Sequence, residues 1–186
     1  MAIYAAVLDA CVMVPVSLCD TLLRLAEARM FRPVWSERIL AETHTAIVAV
    51  HPELREDLVD RRIRYMTDSF PGACIDGFER IEEALMLPDP GDRHVLAAAI
   101  RSRADAIVTS NMKDFPEEVL RQYDLEAIHP DRFLLSQLDM THQTVLDALD
   151  GQAAAAKNPR LDREDVLTSL ARAGVPQFVD EVRRRG

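Results

Sequence analysis

The chain has 186 residues, 48% of them hydrophobic, and a formal net charge of −9. That length and apolar content suit one folded unit or one with a small appendage, and exclude a disordered tail. The acidity argues against a broad nucleic-acid-binding surface, which calls for a basic patch, but not against a nuclease whose phosphate contacts come from bound cations and a few local arginines.

No apolar run reaches the roughly 18 residues that a membrane-spanning helix needs. The N-terminal stretch from Met1 to Cys19 has no basic start, and Asp9 interrupts its apolar core, so it reads as a buried strand followed by a turn and a helix. A cytoplasmic protein is expected. Cys11, Cys19 and Cys74 are odd in number and form no C-x-x-C pair. They read as reduced, packed thiols and not as a disulfide framework or a zinc knuckle.

In chain order, Ile3 to Leu8 is almost entirely apolar, as in a central strand of a parallel sheet covered on both faces. Asp9 ends it, where open α/β sheets place their ligands, although a capping or turn role explains a lone Asp as well. Helical spacing runs from about Leu18 to Arg29. Ser36 is a good N-cap for the next helix, in which Glu42 stands at the edge of the apolar stripe beside Ile39 and Ala46. A border glutamate is also common on helices with no special role.

Glu53 to Tyr65 reads as a charged amphipathic helix whose interleaved signs suit ion pairing on a solvated face. Ala73 to Ile75 is a short strand candidate, and Phe78 to Leu85 a short helix. The turn at Pro88, Pro90 and Gly91 carries Asp89 and leads to Asp92, on one helical face with Val95, Leu96 and Ala99. Asp92 also suits an N-cap, and Asp89 a turn. His94 on that helix is a candidate ligand, though a single helical histidine reads more readily as an ordinary surface or supporting residue. Ala106 to Thr109 is a second buried strand, and its carboxyl end delivers Ser110, Asn111 and Asp114.

A helix at Glu117 to Gln122, a strand at Leu125 to Ile128 and a helix at Pro130 to Leu138 complete an α/β pattern. Three helices follow, Thr141 to Ala156, Asp162 to Ala173 and Pro176 to Arg185. Asp162 with Asp165, Gly174 and Pro176 provide their start and stop signals. The expected division is residues 1–138 as the α/β domain and 139–186 as a helical extension.

If Asp9, Glu42, Asp92 and Asp114 converge, each pair of carboxylates about 5 Å apart repels by roughly 3 kcal/mol at an effective dielectric of about 20. Four acids make six such pairs, which rivals the ~5–15 kcal/mol stability of a whole domain. Protons or cations must answer that charge. An all-oxygen set without cysteine favours Mg²⁺ or Mn²⁺ over Zn²⁺. Asn111, with Thr109 or Ser110, is placed to hold a water or a carboxylate.

The order VLDA, ILAET, DPGDRHVLAAAI and TSNMKDF resembles the PIN-domain ribonucleases, specifically the VapC-type toxins of bacterial toxin–antitoxin pairs. The resemblance covers about residues 3 to 138. It puts the family's four acids on Asp9, Glu42, Asp92 and Asp114, matches Asn111 to the accompanying polar residue, and leaves Asp89 as an extra acid. It implies a central parallel sheet of about five strands flanked by helices, RNA cleavage dependent on Mg²⁺ or Mn²⁺, a homodimer and a cognate VapB-type antitoxin. The alternatives are a catalytically silent PIN-like binding module and a housekeeping RNA-processing nuclease. A phosphatase of the haloacid-dehalogenase type needs a second Asp where Cys11 stands, and a dinucleotide-binding domain needs a G-x-G-x-x-G that is lacking.

Overall fold

The computed structural model describes residues 3–186. Its sheet has four parallel strands, β1 (Ala5–Leu8), β2 (Arg32–Val34), β3 (Ala106–Val108) and β4 (Glu126–Ile128), in the order β2-β1-β3-β4. β1 is central and wholly buried, which is why its sequence is continuously apolar and not alternating. Its pairing with β3 sets Leu8 beside Val108, and the Asp9 amide extends the ladder by donating to the Val108 carbonyl at 3.1 Å. Two chain segments about 100 residues apart therefore end side by side.

The expected fifth strand is reduced to one parallel bridge, Trp35 to Cys74, outside β2. The Trp35 amide donates to the Ala73 carbonyl, and the Ile75 amide to the Trp35 carbonyl. The chain turns at Phe70–Pro71–Gly72 before this segment, and Gly77 adopts a positive φ of 69° just after it. The pairing stops at this one bridge and does not continue alongside β2.

The connections are helical: α1 (Ala10–Met13), α2 (Val16–Glu27), α3 (Glu37–Val50), α4 (Glu56–Ser69), α5 (Glu79–Ala84), α6 (Arg93–Ser102) and α7 (Glu117–Leu120). Ser36 caps α3 as its sequence predicts, its hydroxyl accepting the Ile39 amide at 3.2 Å. α4 begins three residues later than expected, because residues from Pro52 to Leu54 form a turn in which the Leu54 amide returns to the His51 carbonyl. α6 packs against β1, β2 and β3, and its residues from His94 to Ala99 are all buried.

The remaining helices are α8 (Pro130–Met140), which follows β4, and then α9 (His142–Ala155), α10 (Arg163–Arg172) and α11 (Pro176–Arg185). α9 and α10 pack on α2, and α11 packs on α8. A buried polar clasp fixes the first contact: Thr21 donates to Gln152 Oε1 at 2.6 Å, and Gln152 Nε2 donates to the Ser17 carbonyl at 3.0 Å. Asp131, at the start of α8, accepts the Gln177 and Phe178 amides at 3.1 and 2.7 Å and so caps α11 from a distance. One hydrophobic core runs from the sheet through α2 to Val145, Leu170 and Phe178.

Candidate metal centre

The carboxyl ends of β1 and β3 deliver the first parts of the site. Asp9 occupies the N-cap position of α1, yet its side chain makes no capping bond. It is 7% exposed and is held instead by neutral donors on its Oδ2: the Thr109 hydroxyl at 2.7 Å and the Cys11 thiol at 3.2 Å. Burial, and next the charge of Asp9, push the Cys11 thiol up to about 11, so it keeps its proton as a donor at neutral pH. The Ser110 amide donates to Cys11 Sγ at 3.3 Å and the Asn111 amide to Thr109 Oγ1 at 3.0 Å. Of the polar residues expected to support an acid, Thr109 does so directly. Ser110 and Asn111 act through their backbones.

Asp92 repeats the pattern. It closes a 3-10 turn, Pro90–Asp92, and stands at the N-cap of α6 without a side-chain capping bond. Burial raises its carboxyl to about 6, and the charges of Asp9, Asp114 and Asp89 add to the shift in that order. Glu42 is also raised, first by burial and then by Asp9 and Asp92, against the opposing pull of Arg38. The acids thus share one electrostatic field although they come from four separate segments. Asp114 ends a 3-10 turn, Met112–Asp114, and is partly exposed. Asp89 is exposed and spends Oδ1 on the Gly91 amide at 2.7 Å, the turn role its sequence position suggests.

His94 is a supporting residue and not a surface one. It is 1% exposed, and its Nε2 lies 3.0 Å from Glu42 Oε1. Burial, followed by the Arg38 charge, lowers its pKa to about 4. The neutral ring therefore carries its proton on Nε2 and donates it to Glu42, leaving Nδ1 buried without a partner. On the other side Arg38 stands 3.6 Å from Glu42 and 2.7 Å from Glu82. Of the surface and supporting roles the sequence offers His94, the structure shows the supporting one, whereas the link from Cys11 to Asp9 was not read from the sequence. Cys11 meets Asp9 two residues away and Thr109 far along the chain, and His94 meets Glu42 from another helix, so only the His94 spacing from Asp92 offered a hint.

Among the described residues, no three His, Cys, Asp or Glu groups are gathered tightly enough to hold one ion as they stand. The donor chemistry nevertheless fits a hard divalent cation. The acids offer oxygens only, two of them are spared from helix capping, and the neighbouring carboxylates add to the burial that raises Asp92 and Glu42.

A PIN domain model matches residues 5–113, and a model of the VapC50 C-terminal domain matches residues 130–184. The chain belongs to the PIN-domain family. The Mycobacterium tuberculosis (strain ATCC 25618 / H37Rv) protein named "Putative ribonuclease VapC50" is 44% identical over 93 residues, 50% of this chain and 54% of that protein. The chain spans about half the length of that relative. No solved structure matches. PIN membership accounts for the parallel sheet, and the second match coincides with the helices beyond it.

Proposed function

We propose that this PIN protein is an endoribonuclease dependent on Mg²⁺ or Mn²⁺, and the toxin of a VapBC-type toxin–antitoxin pair. The observation that carries the reading is the uncapped state of Asp9 and Asp92. Each stands where a helix begins and would ordinarily use such a side chain, yet neither makes a capping bond; Asp9 engages one oxygen with Thr109 and Cys11 and keeps the other open, and burial, with the neighbouring acids adding to it, raises Asp92 to about 6. The 44% identity to a protein named as a ribonuclease supports the same chemistry.

Asp9, Asp92 and Asp114, with Glu42, would hold the ion, and Asp89 stands close enough to feel the same field. When bound, the ion supplies charge stabilisation at a phosphoryl oxygen and lowers the pKa of a water. Thr109 and Cys11 fix one oxygen of Asp9, leaving the other free. His94 fixes one oxygen of Glu42, and the second accepts the proton of the attacking water. The water oxygen bonds to phosphorus, the ribose oxygen leaves, and solvent returns a proton to it.

In this reading residues 1–138 carry the nuclease, residues 139–186 the helical extension, and the protein works in the cytoplasm as a homodimer restrained by a VapB-type antitoxin. No helix among the described residues is long and apolar enough to cross a membrane. Purified protein should cleave structured RNA with Mg²⁺ or Mn²⁺, and EDTA should stop it. Asp9→Asn and Asp92→Asn should each lower the rate by at least about a thousandfold, equivalent to about 4 kcal/mol, without loss of helical circular dichroism. Undiminished cleavage by Asp9→Asn would sink the mechanism. Induced wild type should arrest growth and Asp114→Asn should not; equal growth would favour a housekeeping nuclease or a silent binding module.

A further inference from the structure

We propose that the C-terminal domain supplies a second RNA contact, a groove that holds the single-stranded flank of the substrate beside the acids. The inference rests on the nuclease reading above and gives the extension a role within it.

The groove, of about 550 Å³, lies between α2 and the C-terminal helices, with Val16 and Ser17 on one wall and Ala156, Leu161 and Val166 on the other. Its place is fixed by the Gln152 clasp to Thr21 and Ser17. It is near the acids along two routes. Between Asp9 and Val16 run the single turn of α1, about 6 Å, and three more residues, at most about 11 Å. His51, which also lines the groove, lies nine residues beyond Glu42 along α3, about 14 Å of helix.

The floor is apolar and open to solvent: Val16 is 62% exposed and Leu161 37%. Ala156 and Leu161 bracket a turn closed by an antiparallel bridge between Lys157 and Arg160. Both cations are exposed, and among the described residues neither side chain has a hydrogen bond or an ion pair. The acids nearby are paired or engaged in capping, including Asp20, which itself lines the groove. Arg24 holds Asp20 at 3.1 Å, His51 holds Glu53 at 3.2 Å, and Asp162 with Asp165 closes the capping box of α10. The chain has only two lysines; Lys113 precedes Asp114 in the site loop, and the other is Lys157.

Two unengaged cations beside an exposed apolar strip, on a chain of net charge −9, match a polyanion that carries apolar ring faces. Backbone phosphates would meet Lys157 and Arg160, and bases and riboses would lie on Val16 and Leu161. The single-stranded form fits, since its bases are free to lie against the floor.

The test uses the full chain carrying Asp9→Asn, so that RNA survives, and a fluorescein-labelled unstructured RNA titrated across a salt series. Adding Lys157→Ala with Arg160→Ala should raise Kd roughly tenfold at 0.1 M salt. It should also make the plot of log K against log salt shallower by about 1.4, at about 0.7 per lost phosphate contact. The charge-keeping pair Lys157→Arg with Arg160→Lys should restore both, which a folding defect would not allow. An unchanged Kd and slope in the double alanine variant overturns the groove assignment. If wild type still cleaves RNA in that case, the nuclease reading stands alone; if wild type neither cleaves nor binds RNA, both fall.

Discussion

The carboxylates at the sheet edge and those of the C-terminal helices are both numerous, and they are treated in opposite ways. Among the C-terminal helices, Arg163 reaches Asp150, Arg183 reaches Glu164, and Arg184 and Arg185 both reach Glu181. The guanidinium bonds hold Asp150 below its ordinary range and bring Glu181 down to about 2. At the sheet edge Asp92 is driven up to about 6, and Glu42 rises despite Arg38. Acids that serve the fold are answered within the chain. Asp9, Asp92 and Asp114 have no ion pair among the described residues, and these are the acids proposed above to meet a cation from outside.

The largest expected effect of that difference is on stability in the presence of metal. Saturating Mn²⁺ or Mg²⁺, at about a hundred times Kd, should stabilise the protein by about 2.7 kcal/mol. That corresponds to a rise in melting temperature of roughly 5–10 °C, and Asp92→Asn should abolish most of it. A full-sized rise in the variant would mean the ion sits elsewhere.

His94→Ala removes the donor that holds Glu42 and should weaken metal binding about 10- to 100-fold, as loss of such supporting partners typically does. His94→Gln, which keeps an N–H, should recover part of it. Equal losses in both variants, measured by calorimetric titration, would make the residue a packing element only.

A smaller effect appears with pH in metal-free protein. Asp92 has its folded pKa raised, so the folded state binds more protons than the unfolded state between about 4 and 6, and stability falls as pH rises through that window. Asp92→Asn should therefore gain on wild type at pH 7.5 by under about 1 kcal/mol after solvent screening, and the gain should vanish near pH 4. A gain that grows on acidification would contradict the origin given for the shift. The smallest change should come from Asp150→Asn, whose exposed pair with Arg163 is worth under about 1 kcal/mol in chemical denaturation. A larger cost there would show that the C-terminal pairs carry more than surface charge balance.

Much of this arrangement was legible because its signals are local. A strand that is apolar throughout and ends in Asp9, a Ser36 cap, a rigid turn before Asp92 and the Asp162 capping box each announce themselves within a few residues. What stayed hidden depends on distant partners. Cys11 reads as a packed thiol until Thr109 arrives from 98 residues away. α6 is buried on nearly every side, so its periodicity gave His94 no face of its own and nothing to tie it to Glu42. The fifth strand is reduced to a single bridge at Cys74, between the turn at Pro71 and Gly72 and the positive φ of Gly77, and nothing local in that segment distinguishes one bridge from a ladder.

α2 is buried on the sheet side and again under α9 and α10, and the clasp from Thr21 to Gln152 is sealed inside that layer. A helix covered from both directions ties the fate of its two neighbours together. The amides of α10 and α11 should then open to hydrogen exchange only as the sheet does, so an ion taken up at the acids would slow exchange at the far C-terminal end of the chain.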